Sequence, residues 1–482
     1  MNAQKFPIIY EINTRVWIKN LIADGKATSL ENIPDSFFQK WKESRFDAVW
    51  LMGVWKPSEP GRRVAVEHPG LWTDYRRTLS DPKPEDVVCS PYCIQDYSVA
   101  DSLGGKNALL KFRDRLHKYG LKLILDFVPN HVALDHHWVS TNPEFFIQAS
   151  ERVFYSSPES YFSIDHHHLA HGKDPYFPAW TDTLQLNYAN KGLQAAIIDT
   201  LKKIAALCDG VRCDMAMLEL KRIFNQTWGW IAGEMENEFW DRAIREVKGS
   251  HPQFLFIAEA YWDTEWNLHQ LGFDYTYDKR FYDRLVTRDI SGLKQHLQAS
   301  QVFQQKLVRF IENHDEPRAA SVFGVFNKAA GAIAATSLGA RLFHDGQFEG
   351  KRIKLPVQLI RTPEETTDAD TEFYYENLLR ILDNPAFVRG ELKVLELQGQ
   401  SAQVLGFERL AGANTGRAMT IANFGDSTAE VHFFTDAFKN VTNYEHIEIV
   451  SSSRFNSPQF DLWEGGITIR IRSAEALIFI LS

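Results

Sequence analysis

The sequence is poor in cysteine, lacks any long apolar run, and carries little net charge for its size. Its four cysteines, Cys89, Cys93, Cys208 and Cys213, are spread over 482 residues, which is no disulfide framework for a chain of this length. Free thiols in a reducing compartment are the expectation. Cys89 and Cys93 lie four apart, a spacing a metal can use, but no second Cys or His pair completes a ligand set. No stretch of about 20 apolar residues is present, and Met1–Pro7 has no apolar leader core. Neither a membrane span nor a signal peptide is therefore expected, and a cytoplasmic location is. The 62 acidic and 53 basic residues leave a formal charge of −9, which argues against nucleic acid or an anionic membrane as a partner. Internal repeats and low-complexity tracts are also missing.

Aromatic side chains are abundant, at 13% of the residues, with 33 Phe, 16 Tyr and 13 Trp. Flat rings suit the C–H faces of sugars, although large cores absorb most such residues. A chain this long exceeds one ordinary core, so two or three domains are expected.

Short apolar strands alternate with amphipathic helical stretches. Strand candidates begin at Ile8–Asn13 and Asp47–Gly53, the second almost continuously apolar, as a strand buried on both faces should be. Others follow at Leu121–Asp126, from Gly210, and at Phe254–Ala258, Gly272–Tyr277, Lys306–Ile311 and Ala340–Phe343. Eight strands with helical crossovers predict an α/β fold, a (β/α)8 TIM barrel. Between strand 3 and about Asn187 the periodicity breaks for more than 50 residues, too long for a simple loop, so a small inserted subdomain is expected after strand 3. Beyond about residue 390 the pattern alternates at period two, as at Val404–Glu408, Ala418–Ala422 and Ala476–Leu481. That predicts a C-terminal antiparallel β-domain, a sandwich. The expected division is 1–131 and 188–388 for the barrel, 132–187 for the insert and 389–482 for the last domain.

Polar groups gather where four strands end: Asp126, Asn130 and His131; Arg212 and Asp214; Glu259; His314 and Asp315. Arg212 and Asp214 are two apart, so on a strand their side chains share a face, and the arginine keeps the aspartate ionised. Alone, such a pair is more often structural than catalytic. In a barrel, however, strand C-termini converge on one cleft. Three acids in one pocket are unfavourable for stability but useful for acid–base and nucleophilic chemistry, with one held charged and another holding a proton.

Four short motifs, in this order, resemble those of the α-amylase family, glycoside hydrolase family thirteen. They are Asp126-Phe-Val-Pro-Asn-His131, Gly210-Val-Arg-Cys-Asp214, Ala258-Glu259, and Glu312-Asn-His-Asp315. Ser90–Tyr97 also resembles a family segment, with Tyr92 as the ring that stacks on the cleaved sugar. The likeness covers roughly residues 7 to 350. It implies that Asp214 is the nucleophile, that Glu259 is the acid and base, and that Asp315 binds hydroxyls of the distorted sugar. It implies further that Arg212 keeps Asp214 charged, that His131 and His314 bind the same sugar, and that Asp126 and Asn130 brace the cleft. The implied reaction is retaining cleavage of α-glucosidic, α-1,4-type bonds in maltooligosaccharides or short α-glucans, with the two carboxyls about 5–5.5 Å apart. The chemistry implied needs no cofactor.

The chain departs from the pattern after the nucleophile, where Met215-Ala-Met-Leu218 replaces a common Lys-His, and at Thr183–Asn187, where an acid is common. The first departure weakens the expectation of long-chain starch as substrate and of a structural calcium, for which Asn130, Asp165 and Asp174 are the candidate oxygens; the second blurs the subfamily within the resemblance. The histidines His136, His137, His166, His167, His168 and His171 have no helical ligand spacing, so solvated or incidental side chains are the simpler expectation and the metal content is unknown. Trp262 and Trp266 are candidates for acceptor subsites or for core. A transglycosylase or glucosyl isomerase would use the same residues with a sugar acceptor. A silent glucan-binding protein would lack one of the three acids. A metal-dependent barrel hydrolase would show His-x-His on the first strand, which reads Ile8-Ile-Tyr-Glu-Ile-Asn13.

Overall fold

The computed structural model describes residues 6–412, 416–435, 447–454, 457–463 and 465–481. Eight parallel strands close into a barrel: β1 (Ile8–Asn13), β2 (Ala48–Met52), β3 (Lys122–Phe127), β4 (Gly210–Cys213), β5 (Leu255–Ala258), β6 (Tyr275–Tyr277), β7 (Leu307–Arg309) and β8 (Ala340–His344). β8 pairs back onto β1, with Ile8 beside Arg341 and Glu11 beside His344. All five residues of β2 are buried, as its unbroken apolar run requires. Gly210 opens β4 because a Cβ there would stand 2.8 Å from the Leu255 carbonyl oxygen. Gly339 turns the chain into β8 at φ +112°, with the Leu307 carbonyl against its missing side chain.

Helices cover the barrel with apolar stripes. Gly105–Lys118 buries Ala108, Leu109, Phe112 and Leu116. Lys191–Ala205 leads into β4; its N-cap, Asn190, accepts from the Gly192 and Leu193 amides.

Three irregular segments rise over the C-terminal rim. The one after β2 carries helices Glu59–Glu67 and Pro69–Thr78 and a ladder of Trp55–Pro57 with Ile94–Val99. The one after β3 holds His131–Ala133 paired with Thr183–Gln185, and Tyr161–Ile164 paired with His167–Ala170. The third, residues 345–368, runs from β8 to helix Ala369–Ile381.

Beyond the barrel, two antiparallel sheets share a core that includes Val404, Met419, Ile421, Val431, Ile469 and Phe479. Three of their strands, Ile447–Ser451, Gln459–Trp463 and Gly466–Ile471, are additional to the alternating segments singled out in the sequence. Arg409, fully buried, ties this unit to the barrel by donating to the carbonyls of Thr336, Ser337, Phe387 and Gly390.

Candidate active site

One guanidinium organises the barrel mouth. Arg212 is 1% exposed, and it faces four carboxyls. Its Nη1 donates to Asp214 Oδ1 at 2.6 Å and lies 3.7 Å from Asp126 Oδ1. Its Nη2 lies 2.7 Å from Glu259 Oε2 and 3.5 Å from Asp315 Oδ2. The rings of Tyr92, Trp50 and Tyr277 surround its central carbon at 5.1, 5.4 and 5.7 Å. A planar, permanently charged fork suits this geometry; an ammonium would not reach both Asp214 and Glu259. The same-face spacing of Arg212 and Asp214 on β4 is what puts the pair together.

Glu259, directly after β5, is fixed at both oxygens. Tyr261 Oη donates to Oε1 at 2.7 Å, and the Met215 amide donates to Oε2 at 2.7 Å. Met215 delivers that amide from a left-handed backbone at φ +45°, a conformation uncommon for a residue with a side chain. Asp315 follows β7 on a turn in which Asn313 Oδ1 accepts from the Asp315 and Glu316 amides, both at 2.9 Å.

His314 joins the two sides of the pocket. Its Nδ1 hydrogen-bonds Glu11 on β1, and its Nε2 lies 2.9 Å from Asp315 and 2.6 Å from Tyr92 Oη. Burial alone would lower the imidazole, but Asp315 and Glu11 outweigh it and raise it to about 10. A doubly protonated ring is therefore expected at neutral pH. Burial likewise works against ionisation of Asp315, yet His314 and Arg212 hold its carboxyl well below the usual range. Burial pushes the Asp214 carboxyl up; Arg212 opposes this, while Glu259 and Asp315 add to it. Burial also raises Asp126 to about 6 against the pull of Arg212. Carboxyls this close titrate jointly.

The cleft above these groups has a volume of about 560 Å³, within the usual range for a small-molecule site. Tyr92 and His131 line it with Asp214, Glu259 and Asp315. Tyr92 stacks on His314 with ring centroids 5.4 Å apart. His131 is held neutral by burial, down to about 4, and packs against Trp180. Asn130 donates to His131 Nδ1 at 3.3 Å. The structure thus brings Tyr92, Asp126, Asn130, His131, Arg212, Asp214, Glu259, His314 and Asp315 together at the barrel mouth.

A family model described as "Alpha amylase, catalytic domain" matches residues 42–347, well over half of the chain. The chain belongs to the α-amylase family. Among curated proteins, Alpha-amylase 3 of Dictyoglomus thermophilum is 22% identical over 293 residues, covering 53% of this chain and 52% of that protein. An α-amylase of Haloarcula japonica is 26% identical over 282 residues, covering 54% of this chain and 36% of that protein. The matches thus span about half and about a third of those relatives' lengths. Solved structures agree along the whole fold. A maltogenic α-amylase from Thermotoga neapolitana superposes with a TM-score of 0.68 at 19% identity, over 98% of each chain. An acarbose-bound α-amylase from Geobacillus thermoleovorans gives 0.68 at 18%, over 100% of this chain and 99% of that one.

The α-amylase likeness raises the question of calcium, and the residues do not fit it. Gln185 Nε2 donates to Asn130 Oδ1 at 2.8 Å, to Asn130 O at 3.0 Å and to Leu186 O at 3.3 Å. An amide donor thus occupies the oxygens a cation would take. Asp174 Oδ1 is turned inward to accept the Tyr176 and Phe177 amides, and Asp165 sits exposed in the turn between Tyr161–Ile164 and His167–Ala170. His168 stacks on Phe154, His167 meets Gln148 and His171 meets the Thr183 carbonyl, while His136 and His137 pack on each other and on Trp138; contrary to the expectation of solvated side chains, His136 and His171 are buried. Among the described residues no group of three or more His, Cys, Asp or Glu is placed to hold a metal.

Several neighbours escaped the sequence reading. Tyr261 is two residues past Glu259, and its contact follows from a loop conformation with no sequence signature. Glu11 had a signal, since it is the one charge in an apolar strand, but nothing pointed to His314. Trp262 lines an adjoining cavity, whereas Trp266 is 50% exposed and turns to His269 and Phe303.

Proposed function

We propose that the protein is a retaining glycosidase that cleaves α-glucosidic, α-1,4-type bonds in maltooligosaccharides or short α-glucans. The observation that carries this reading is the bridging guanidinium, 2.6 Å from Asp214 and 2.7 Å from Glu259. Two carboxyls on one fork suit successive displacements at a single anomeric carbon. In the first, Asp214 attacks that carbon while Glu259 protonates the departing oxygen, leaving a glycosyl ester on Asp214. In the second, Glu259 takes a proton from water, the water oxygen attacks, and Asp214 departs with the α configuration restored. Arg212 balances the charge that appears on Asp214. Asp315, kept ionised by His314, accepts hydrogen bonds from ring hydroxyls and favours the oxocarbenium-like state. His131 and His314 contact the same sugar, and Asp126 and Asn130 support the wall. The acarbose held by the Geobacillus relative supports an α-glucan ligand.

One observation favours a variant of this chemistry. A second cavity of about 410 Å³, sharing Met215 and Tyr261 with the first, offers an acceptor sugar a place beside Glu259. Transglycosylation or glucosyl isomerisation would then replace hydrolysis in the second step. The presence of all three acids speaks against a silent glucan-binding protein.

Incubating the purified protein with maltooligosaccharides, with and without free glucose, tests this by chromatography of the products. Shorter saccharides support hydrolysis, and longer or rearranged ones support transfer. No turnover of any α-glucoside contradicts the reading.

A further inference from the structure

Two rim segments are sewn together beside the cleft. The Val88 amide donates to the Gln358 carbonyl at 2.8 Å, the Ile360 amide donates to the Asp86 carbonyl at 2.9 Å, and Val87 pairs with Leu359. Arg361 reaches across to both oxygens of Asp86 at 2.8 Å and to Asp81 at 2.9 Å. Val87 and Leu359 share a separate small core with Ala65, Tyr75 and Leu79. The segment after β2 and the segment after β8 therefore form one clasp. The segment after β3 joins it where the Cys93 thiol donates to the Asp182 carbonyl at 3.1 Å.

The clasp has a fixed place in the barrel. β8 and β2 flank β1 on one side of the ring, while β5 and β6 lie opposite. The adjoining cavity belongs to that opposite side: Trp262 and Asp263 follow β5, and Lys279, Arg280 and Asp283 follow β6. Glu259, the proposed acid, also follows β5, so a leaving group lies toward that cavity. The sugar that stays on Asp214 then points toward the clasp, whose side of the cleft is lined by Ser90, Asp182 and Gln358. Among the described residues, the Asp182 carboxyl has no hydrogen bond or ion pair to another side chain.

We infer that this clasp blocks the glycone end of the cleft, so that the enzyme removes single glucose units from non-reducing chain ends, with Asp182 and Gln358 binding the terminal hydroxyls. This rests on the glycosidase reading above and narrows its substrate to chain ends. A polar wall built to pair with free hydroxyls rejects an analogue whose hydroxyls are capped, because its own groups are then left unpaired.

The test uses maltoheptaose labelled at the reducing end, and the same molecule with its non-reducing glucose capped as the 4,6-ethylidene acetal. Wild type should shorten the free substrate to labelled hexasaccharide first, and should cleave the capped one about a hundredfold more slowly or less. Arg361→Ala, outside the cleft, should raise the capped-to-free ratio by about tenfold as the clasp loosens. Asp182→Asn should raise KM for the free substrate severalfold. Internal cleavage of the capped substrate by wild type at a comparable rate overturns the chain-end inference and leaves the glycosidase reading standing. An unchanged ratio in Arg361→Ala overturns the clasp. Failure to cleave either substrate overturns the glycosidase reading itself, a result distinct from the other two.

Discussion

Glu11 on the first barrel strand accepts a hydrogen bond from His314 Nδ1, 303 positions later in the chain. The contact closes the ring of strands chemically as well as topologically, since β1 also pairs with β8. After Asp315, Glu11 is the second charge that raises the imidazole pKa, and it turns His314 Nε2 toward Asp315 and Tyr92.

The pH dependence of stability follows from that contact. The His314 pKa is raised to about 10 in the folded protein, against about 6.5 for a free histidine. A raised group stabilises fully below its unfolded pKa, and that stabilisation is lost as pH rises through the folded value. Between about pH 6.5 and 10 the His314 contribution should therefore fade. Glu11→Gln removes one of the two carboxylates responsible. It should move the basic limb of the kcat/KM profile downward by roughly one to two units. A limb that stays in place would show that His314 does not report there.

Arg212→Lys tests the bridge. A single ammonium cannot hold Asp214 and Glu259 together, so turnover of maltooligosaccharides should fall by at least about 10². Arg212→Met, which leaves buried carboxyls without their cation, should also lower unfolding free energy by about 3–5 kcal/mol in urea titrations. Near-normal turnover in Arg212→Lys would show that the fork is dispensable.

Gln185 makes a separate prediction. With its amide filling the Asn130 and Leu186 oxygens, EDTA should leave the melting temperature unchanged, and added calcium should not raise it. A change of several degrees in either experiment would reveal a bound structural ion.

Arg409 should matter for stability alone. Arg409→Met takes a donor from four buried carbonyls between the barrel and the β-sheets, of which those of Ser337 and Phe387 still accept from Arg341. Each unsatisfied group costs about 1–3 kcal/mol. Chemical denaturation should show a large loss, while kcat of the remaining folded enzyme stays near wild type.

The barrel was legible because its strands are short apolar runs with a carboxylate or amide at the end, and parallel buried strands leave that trace. Asp126, Arg212, Glu259 and Asp315 were legible for the same reason: strand ends point at the cleft. What was hidden depends on loop geometry. Met215 offers its amide to Glu259 only because its φ is +45°, and Tyr261 reaches Glu259 across a loop turn. Gln185 could be noted as an absent acid, but its donation into three carbonyls needed coordinates. The clasp of Arg361 with Asp81 and Asp86 joins residues 280 and 275 positions apart, a pairing that single-sequence periodicity does not carry.

If Asp214 bonds to the anomeric carbon as proposed, the glycosyl ester can be trapped on it. The protein is incubated with 5-fluoro-α-D-glucosyl fluoride, which forms the glycosyl ester readily and loses it slowly, then digested and read by tandem mass spectrometry. One fluoroglucosyl group is expected, on the Asp214 side chain and absent from Asp214→Asn. A label on another residue, or steady turnover with inverted anomeric configuration in the first-formed product, would contradict it.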